Sequence, residues 1–182
     1  GGMEFFDVNF SYIDNESFTE NFVSVPEQSG GKLIPEGMLK PGHVYTVGRS
    51  KNGNIGAYKL EAQVIAGSGK FSCTGLDSTH TAKEAVDTAF RYLKANTKAI
   101  SGSISTTAND FMLQVADLNG VGMTSSLALV TLISLSSAAL GKATITSLAV
   151  LGDLSIGGTI NRVPELANVL QVCLDSGAKK VL

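Results

Sequence analysis

Asn119-Gly120-Val121-Gly122-Met123-Thr124-Ser125-Ser126-Leu127-Ala128-Leu129-Val130 begins the stretch, 119–180, whose order decides the fold. Its glycines make a turn, and Thr124, Ser125 and Ser126 open a helix over 124–140. That helix stops at Gly141-Lys142, glycine being the usual residue past a helix end. The almost wholly apolar run Ile145 to Leu151 reads as a strand covered on both faces. Ile156-Gly157-Gly158-Thr159 is a tight turn, and Pro164 suits the first position of a helix over 164–176, where its missing N–H costs nothing. Lys179-Lys180-Val181-Leu182 reads as the start of another strand. This order can set Ser126 beside whatever the last helix carries on its facing side.

Upstream, Val44-Tyr45-Thr46-Val47 and the run Ala57 to Ala66 are β-rich and joined by Lys51-Asn52-Gly53-Asn54, whose Asn-Gly supplies the positive φ of a hairpin. Gly67-Ser68-Gly69 turns into a third strand, Lys70 to Thr74. A helix follows over 81–95, with Ala82, Ala85, Val86, Ala89, Phe90 and Leu93 on one stripe. Asp110 to Ala116 is the next strand, and Ser101 to Thr107 reads as a solvated loop or a plain strand. Residues 1–40 concentrate aromatics such as Phe5, Phe6, Phe10 and Tyr12 among Asp, Asn and Glu, and are expected to lie over this domain or a neighbouring one. The chain thus divides into a 1–40 extension or linker and a 41–182 domain of mixed α and β layers.

Composition excludes several functions. A chain of 182 residues carries one full core, and its 16% charged content gives a mild surface. Net charge is −2 with scattered basic residues, which argues against a phosphate-tracking face. Cys73 and Cys173 are too few for a disulfide framework or metal knuckle and read as reduced thiols of a cytoplasmic protein; His43 and His80 have no ligand cluster. The apolar run Leu127 to Leu140 is interrupted by Thr131, Ser134, Ser136 and Ser137, and is shorter than the roughly 20 residues a bilayer span needs. It reads as a buried helix. Gly67-Ser68-Gly69-Lys70 departs from a phosphate loop, with Val64 at the leading glycine and Phe71 at the Ser/Thr position.

The stretch from Lys40-Pro41-Gly42 onward resembles the proteolytic domain of Lon, the ATP-dependent Ser-Lys protease. Gly67-Ser68-Gly69-Lys70-Phe71-Ser72-Cys73-Thr74-Gly75 stands where Lon has Gly-Lys-Gly-Lys-Leu-Thr-Tyr-Thr-Gly, and Asp110-Phe111-Met112-Leu113-Gln114-Val115 where it has Asp-Leu-His-Val-His-Val. Lon's Asp-Gly-Pro-Ser-Ala-Gly falls on Met123-Thr124-Ser125-Ser126-Leu127-Ala128, and its Thr-Gly-Glu on Leu151-Gly152-Asp153. The resemblance implies a Lon-type α/β (α+β) fold of mixed sheets with three main helices, and makes Ser126 the candidate nucleophile. The lysines of Lon's second motif fall on Ala167 and Val169, the catalytic one on Val169. A serine hydroxyl is a weak nucleophile until a base takes its proton, and the helix over 164–176 contains no lysine. Lys142, Lys179 and Lys180 are the nearest other amines, and Asp153 reads as a cap or hairpin acceptor. As ordinary structure, Ser125 and Ser126 are helix N-terminal capping residues.

Within the Lon-like group, Met3-Glu4-Phe5-Phe6-Asp7-Val8-Asn9-Phe10 and Asn161-Arg162-Val163-Pro164-Glu165-Leu166-Ala167 are similar to the C-terminal domain of the BrxL family, the Lon-related AAA+ ATPases of BREX phage defence. That likeness implies an excised domain of a longer protein, with ATP and magnesium held by an upstream AAA+ module and no cofactor or metal here. It implies a homo-oligomeric ring, DNA contacts outside this domain, and no membrane partner. Two readings follow: a proteolytically silent domain serving ring assembly or client positioning, or an active ATP-dependent serine endopeptidase using Ser126 with a non-lysine or displaced base.

Overall fold

Strands β1 (Phe6–Asp7), β2 (Ser11–Asp14), β3 (Thr19–Phe22), β4 (His43–Arg49), β5 (Ile55–Ala66), β6 (Phe71–Thr74) and β7 (Asn109–Asp117) are followed by β8 (Leu148–Ala149), β9 (Asp153–Leu154), β10 (Ile160–Asn161) and β11 (Lys180–Val181). The helices are α1 (His80–Ala95), the single-turn α2 (Thr97–Ile100), α3 (Ala128–Leu140) and α4 (Leu166–Asp175). This computed structural model describes residues 6–7, 11–14, 19–22, 33–35, 39–144, 148–155, 157–161 and 166–182. Residues 145–147 of the expected strand, and Pro164, expected to open the last helix, lie outside those residues, as do parts of the Met3–Phe10 and Asn161–Ala167 stretches.

The fold is mixed α+β. Seven strands form one sheet in the order β1-β11-β8-β4-β5-β7-β6, and β2–β3 and β9–β10 are separate hairpins. The β4–β5 hairpin turns at Gly53, whose φ of 86° the Asn-Gly reading anticipated. The turn at 67–69 does not return β6 onto β5: β7 lies between them, antiparallel to β5 and parallel to β6. On the other flank β8 runs parallel to β4 and to β11, which is in turn extended by antiparallel β1.

Because side chains alternate along a strand, the central strands serve two cores. Val44, Tyr58, Leu60, Phe111, Leu113 and Val115 join the buried faces of α1 and α3. Tyr45, Val47 and Ala57 point to the opposite face, where they meet Val169 and Cys173 of α4, together with Ile34 and Leu39. The helical stripe read from the sequence is the buried face of α1, and Phe90 on it stacks on Phe71 at 4.7 Å and meets Phe111 at 5.5 Å. Segment 101–107 is irregular as one of its two readings held, yet Ile104 and Thr106 are buried.

The apolar run 127–140 is a buried helix, and two of its hydroxyls, Ser134 and Ser137, have partners in the fold. Ser134 Oγ donates to Gly42 O at 2.7 Å, and Ser137 Oγ accepts from Gly42 N–H at 2.9 Å. Gly141 closes α3 in the left-handed conformation, φ 63° and ψ 27°. The start of α3 corrects the sequence reading. It begins at Ala128, with Leu127 at the N-cap and no side-chain capping bond, so Ser125 and Ser126 are not its caps. Thr124 is instead held extended by an antiparallel bridge to Ser50, and the chain turns helical only after leaving that bridge.

Candidate functional site around Ser126

A cavity of about 360 Å3 opens where β4 runs into its hairpin turn, the end of the sheet that elements from both cores reach. Met123, Ser125 and Ser126 line it from the segment before α3, and Val169 lines it from α4. Ser126 and the last helix therefore do meet, and the residue facing the serine's cavity is Val169, at 1% exposure. Arg49, Ser50 and Lys51 contribute from the end of β4, and Thr79 and Thr81 from the start of α1.

Local hydrogen bonds set this geometry. Asp117 accepts from the N–H groups of Val121 (3.3 Å) and Gly122 (2.7 Å), Asn119 Oδ1 accepts from Ala57 N–H at 2.7 Å, and the Tyr58 hydroxyl donates to Gly122 O at 2.5 Å. Burial, then the Asp117 charge, pushes the Tyr58 phenol well above its ordinary range, so it stays a donor. The turn 119–122 thus delivers Met123 and Thr124 to the end of β4. Thr124 fits there because residue 48 is glycine: a Cβ on Gly48 would come within 2.7 Å of Thr124 Oγ1. That same Oγ1 accepts from Ser126 N–H at 3.2 Å. The Ser126 hydroxyl has no hydrogen-bond partner among the described residues.

An acyl-transfer site needs a base for the serine and free N–H groups for the developing oxyanion. Here a valine occupies the position of the expected amine, and the Ser126 N–H is engaged by its own loop. Lysine candidates named from the sequence are corrected by the structure: Lys142 and Lys179 do not line the cavity, while Lys51 does. The Lys180 side chain lies outside the described residues. Lys51 was legible only as a hairpin-turn residue, since its approach to residue 126 depends on the Ser50–Thr124 bridge. Lys51 is exposed, unlike the buried position 169. Asp153 lies in the β9–β10 hairpin, where its carboxylate accepts from Leu154 N–H at 2.9 Å.

The Gly67–Lys70 loop is built for an anion, and that anion is internal. The N–H groups of Ser68, Gly69 and Lys70 converge on Asp110 Oδ1 at 2.9, 3.0 and 2.8 Å. These bonds, Lys70's foremost, hold the Asp110 carboxyl below the usual carboxylate range. A Cβ on Gly67 would fall 2.2 Å from the Asp110 carboxyl carbon. With its donors spent on Asp110, the loop does not fit the phosphates of a nucleotide.

Both cysteines are free thiols; burial pushes that of Cys73 up to about 11. His43 lies 3.9 Å from Glu61, and His80 3.0 Å from Glu84. Among the described residues no helix is long and apolar enough to cross a membrane.

No family model matches the chain. It is 64% identical over all 182 of its residues to the Lon-like protease BrxL of Bacillus cereus (strain H3081.97), and 47% identical over the same length to the Lon-like protease BrxL of Escherichia coli O9:H4 (strain HS). The chain spans 27% and 26% of the length of these two curated relatives. With every residue aligned at these identities, the chain belongs to the BrxL family of Lon-like proteins.

Proposed function

We propose that this chain is the Lon-like domain of a BrxL-type, ATP-dependent AAA+ ring protein of phage defence, and that it is proteolytically silent. It serves the ring by assembly or by positioning a client, with ATP, magnesium and DNA handled elsewhere in the parent protein. The observation that supports this most is Val169, buried and lining the cavity of Ser126. Without a base there, the general-base contribution of roughly 10²- to 10⁴-fold is missing. The engaged Ser126 N–H adds that no oxyanion donor is ready at this residue.

The test is a fluorophosphonate probe offered to the full chain. The expected result is no stoichiometric labelling of Ser126 over hours, in line with Ser126→Ala. Fast labelling that Ser126→Ala abolishes would overturn the proposal.

One observation favours the other reading, an active serine endopeptidase with a displaced base: Lys51 shares the cavity. That reading requires labelling, and requires Lys51→Gln to remove it. Ser126-independent turnover of casein by the ATP-supplied parent protein would count against it.

A further inference from the structure

Strand β6 ends the seven-stranded sheet: β7 lies on one side of it and, among the described residues, no strand lies on the other. The ladder to β7 is parallel, with Phe71 opposite Phe111, and Phe111 N–H donates to Lys70 O at 2.8 Å. Alternate residues of a strand bond to a given neighbour, so residues 70, 72 and 74 face β7. The N–H and C=O groups of Phe71 and Cys73 therefore point off the free edge. Such a row is a template for another strand. The space where that strand would lie is a groove of about 510 Å3, formed by β6, the turn after it and the start of α1. It shares only Thr79 with the Ser126 cavity. Phe71, Cys73 and Leu76 line it half-buried, which leaves apolar surface open beside the unpaired backbone. Charge runs along the groove in a fixed order. Lys70 precedes β6 and Asp77 follows it, while Lys83 and Asp87 stand one turn apart on α1. His80 is taken by Glu84 at 3.0 Å. A second β6 laid antiparallel reverses this order, bringing the basic end of each copy to the acidic end of the other, and Lys83 of each toward Asp87 of the other. The groove is complementary to itself.

We propose that β6 pairs antiparallel with β6 of a second copy, about a two-fold axis at Ser72, so that one sheet continues through two molecules. With residue 72 on the axis, Phe71 of each copy stands opposite Cys73 of the other. These are the residues with free backbone groups, and each such pair exchanges both N–H···O bonds. Ser72 then meets Ser72 in a non-hydrogen-bonded pair, with Cα atoms about 4.5 Å apart. On the core side of the sheet, where Phe71 and Cys73 pack, the same pairing covers the half-buried apolar surface. A contact of this isologous kind, each patch meeting its own copy, closes at two molecules. An unrelated extended peptide would use the backbone edge and leave the charge order unmatched. The contact goes beyond the silent reading and does not depend on it.

The experiment combines sedimentation equilibrium and oxidative cross-linking of the full chain. The unmodified chain is expected to show a monomer–dimer equilibrium. Ser72→Cys should give a covalent dimer under mild oxidation, because Cα atoms about 4.5 Å apart lie within disulfide range. Thr74→Cys, also exposed and on the same face of β6, should cross-link more slowly by about tenfold, since residue 74 meets residue 70 rather than itself. Ser72→Asp and Ser72→Lys should each weaken the dimer by about fivefold, as either sets like charges opposite one another, with thermal melts matching the parent chain's. Opposite responses to Asp and Lys would overturn the proposal in favour of a different partner strand. A chain that stays monomeric into the millimolar range, or equal cross-linking at residues 72 and 74, also overturns it. Fluorophosphonate labelling of Ser126 bears on none of these readouts, so the silent reading and the β6 contact fail separately.

Discussion

Position 169 shows how one side chain separates scaffold from chemistry. Val169 packs with Cys173 and Tyr45 while also closing the Ser126 cavity, so it serves the core where an amine would serve catalysis. Val169→Lys buries that amine, and burial disfavours its charged form. The folded-state pKa of the new lysine falls below its unfolded value, so the variant is penalised at neutral pH and regains stability as pH rises toward 10. A stability curve against pH checks this; a lysine that titrates freely would mean that residue 169 does not face the cavity. Asp110 is the opposite case, a charge the fold wants. Its carboxyl is held low by three N–H donors, so its contribution is present above the unfolded carboxylate pKa and fades as pH falls through the folded one. Asp110→Asn should lower Tm at pH 7, and the gap to the parent chain should narrow as pH falls below the ordinary carboxylate range, as measured by thermal melts. The Gly-Ser-Gly-Lys pattern could be rejected as a phosphate loop from its flanking residues, but its actual partner lies 40 residues away and could not be read from sequence.

At the scale of elements, α3 explains why an apolar helix carries serines. Ser134 and Ser137 clasp both backbone groups of Gly42, in the segment that leads into β4. Gly42 has φ +84°, and a Cβ there would lie 2.3 Å from Ala62 O, so the position requires glycine. Gly42→Ala should therefore cost more than about 1 kcal/mol, seen as a lower urea midpoint with an unchanged slope. A midpoint equal to the parent chain's would show that the clasp is loose. The interior and C-terminal end of α3 were legible, because an apolar run ending in Gly141 has only one economical reading. Its first turn was not. Hydroxyl residues favour helix N-termini, yet here a long-range bridge between Ser50 and Thr124 overrides that local preference and leaves Ser125 and Ser126 lining a cavity.

For the whole molecule, one sheet carries two cores, and Leu33, Ile34 and Leu39 of the first 40 residues pack in the second of them. The N–H groups of Leu33 and Ile34 both donate to Ser176 O, at 2.7 and 2.8 Å, and Ile34 is buried with Leu39 beside α4. Leu135→Ala in the α3 core and Ile34→Ala in the α4 core should each cost about 2–5 kcal/mol. Both should shift one shared urea transition, because strands β4 and β5 bury side chains in both cores. Two separate transitions would instead mark the α4 side as an independent unit. By itself the sequence determined the element types, the hairpin at Gly53 and the absence of a lysine from the last helix, since these follow from period, turn chemistry and residue identity. Tertiary structure alone decided that β7 lies between β5 and β6, that Thr124 pairs with Ser50, and that Lys51, a hairpin-turn residue, lines the cavity of Ser126. Those outcomes depend on backbone groups far apart in the chain finding one another, and a backbone N–H or carbonyl is the same at every residue, so its distant partner leaves no mark in the order of side chains.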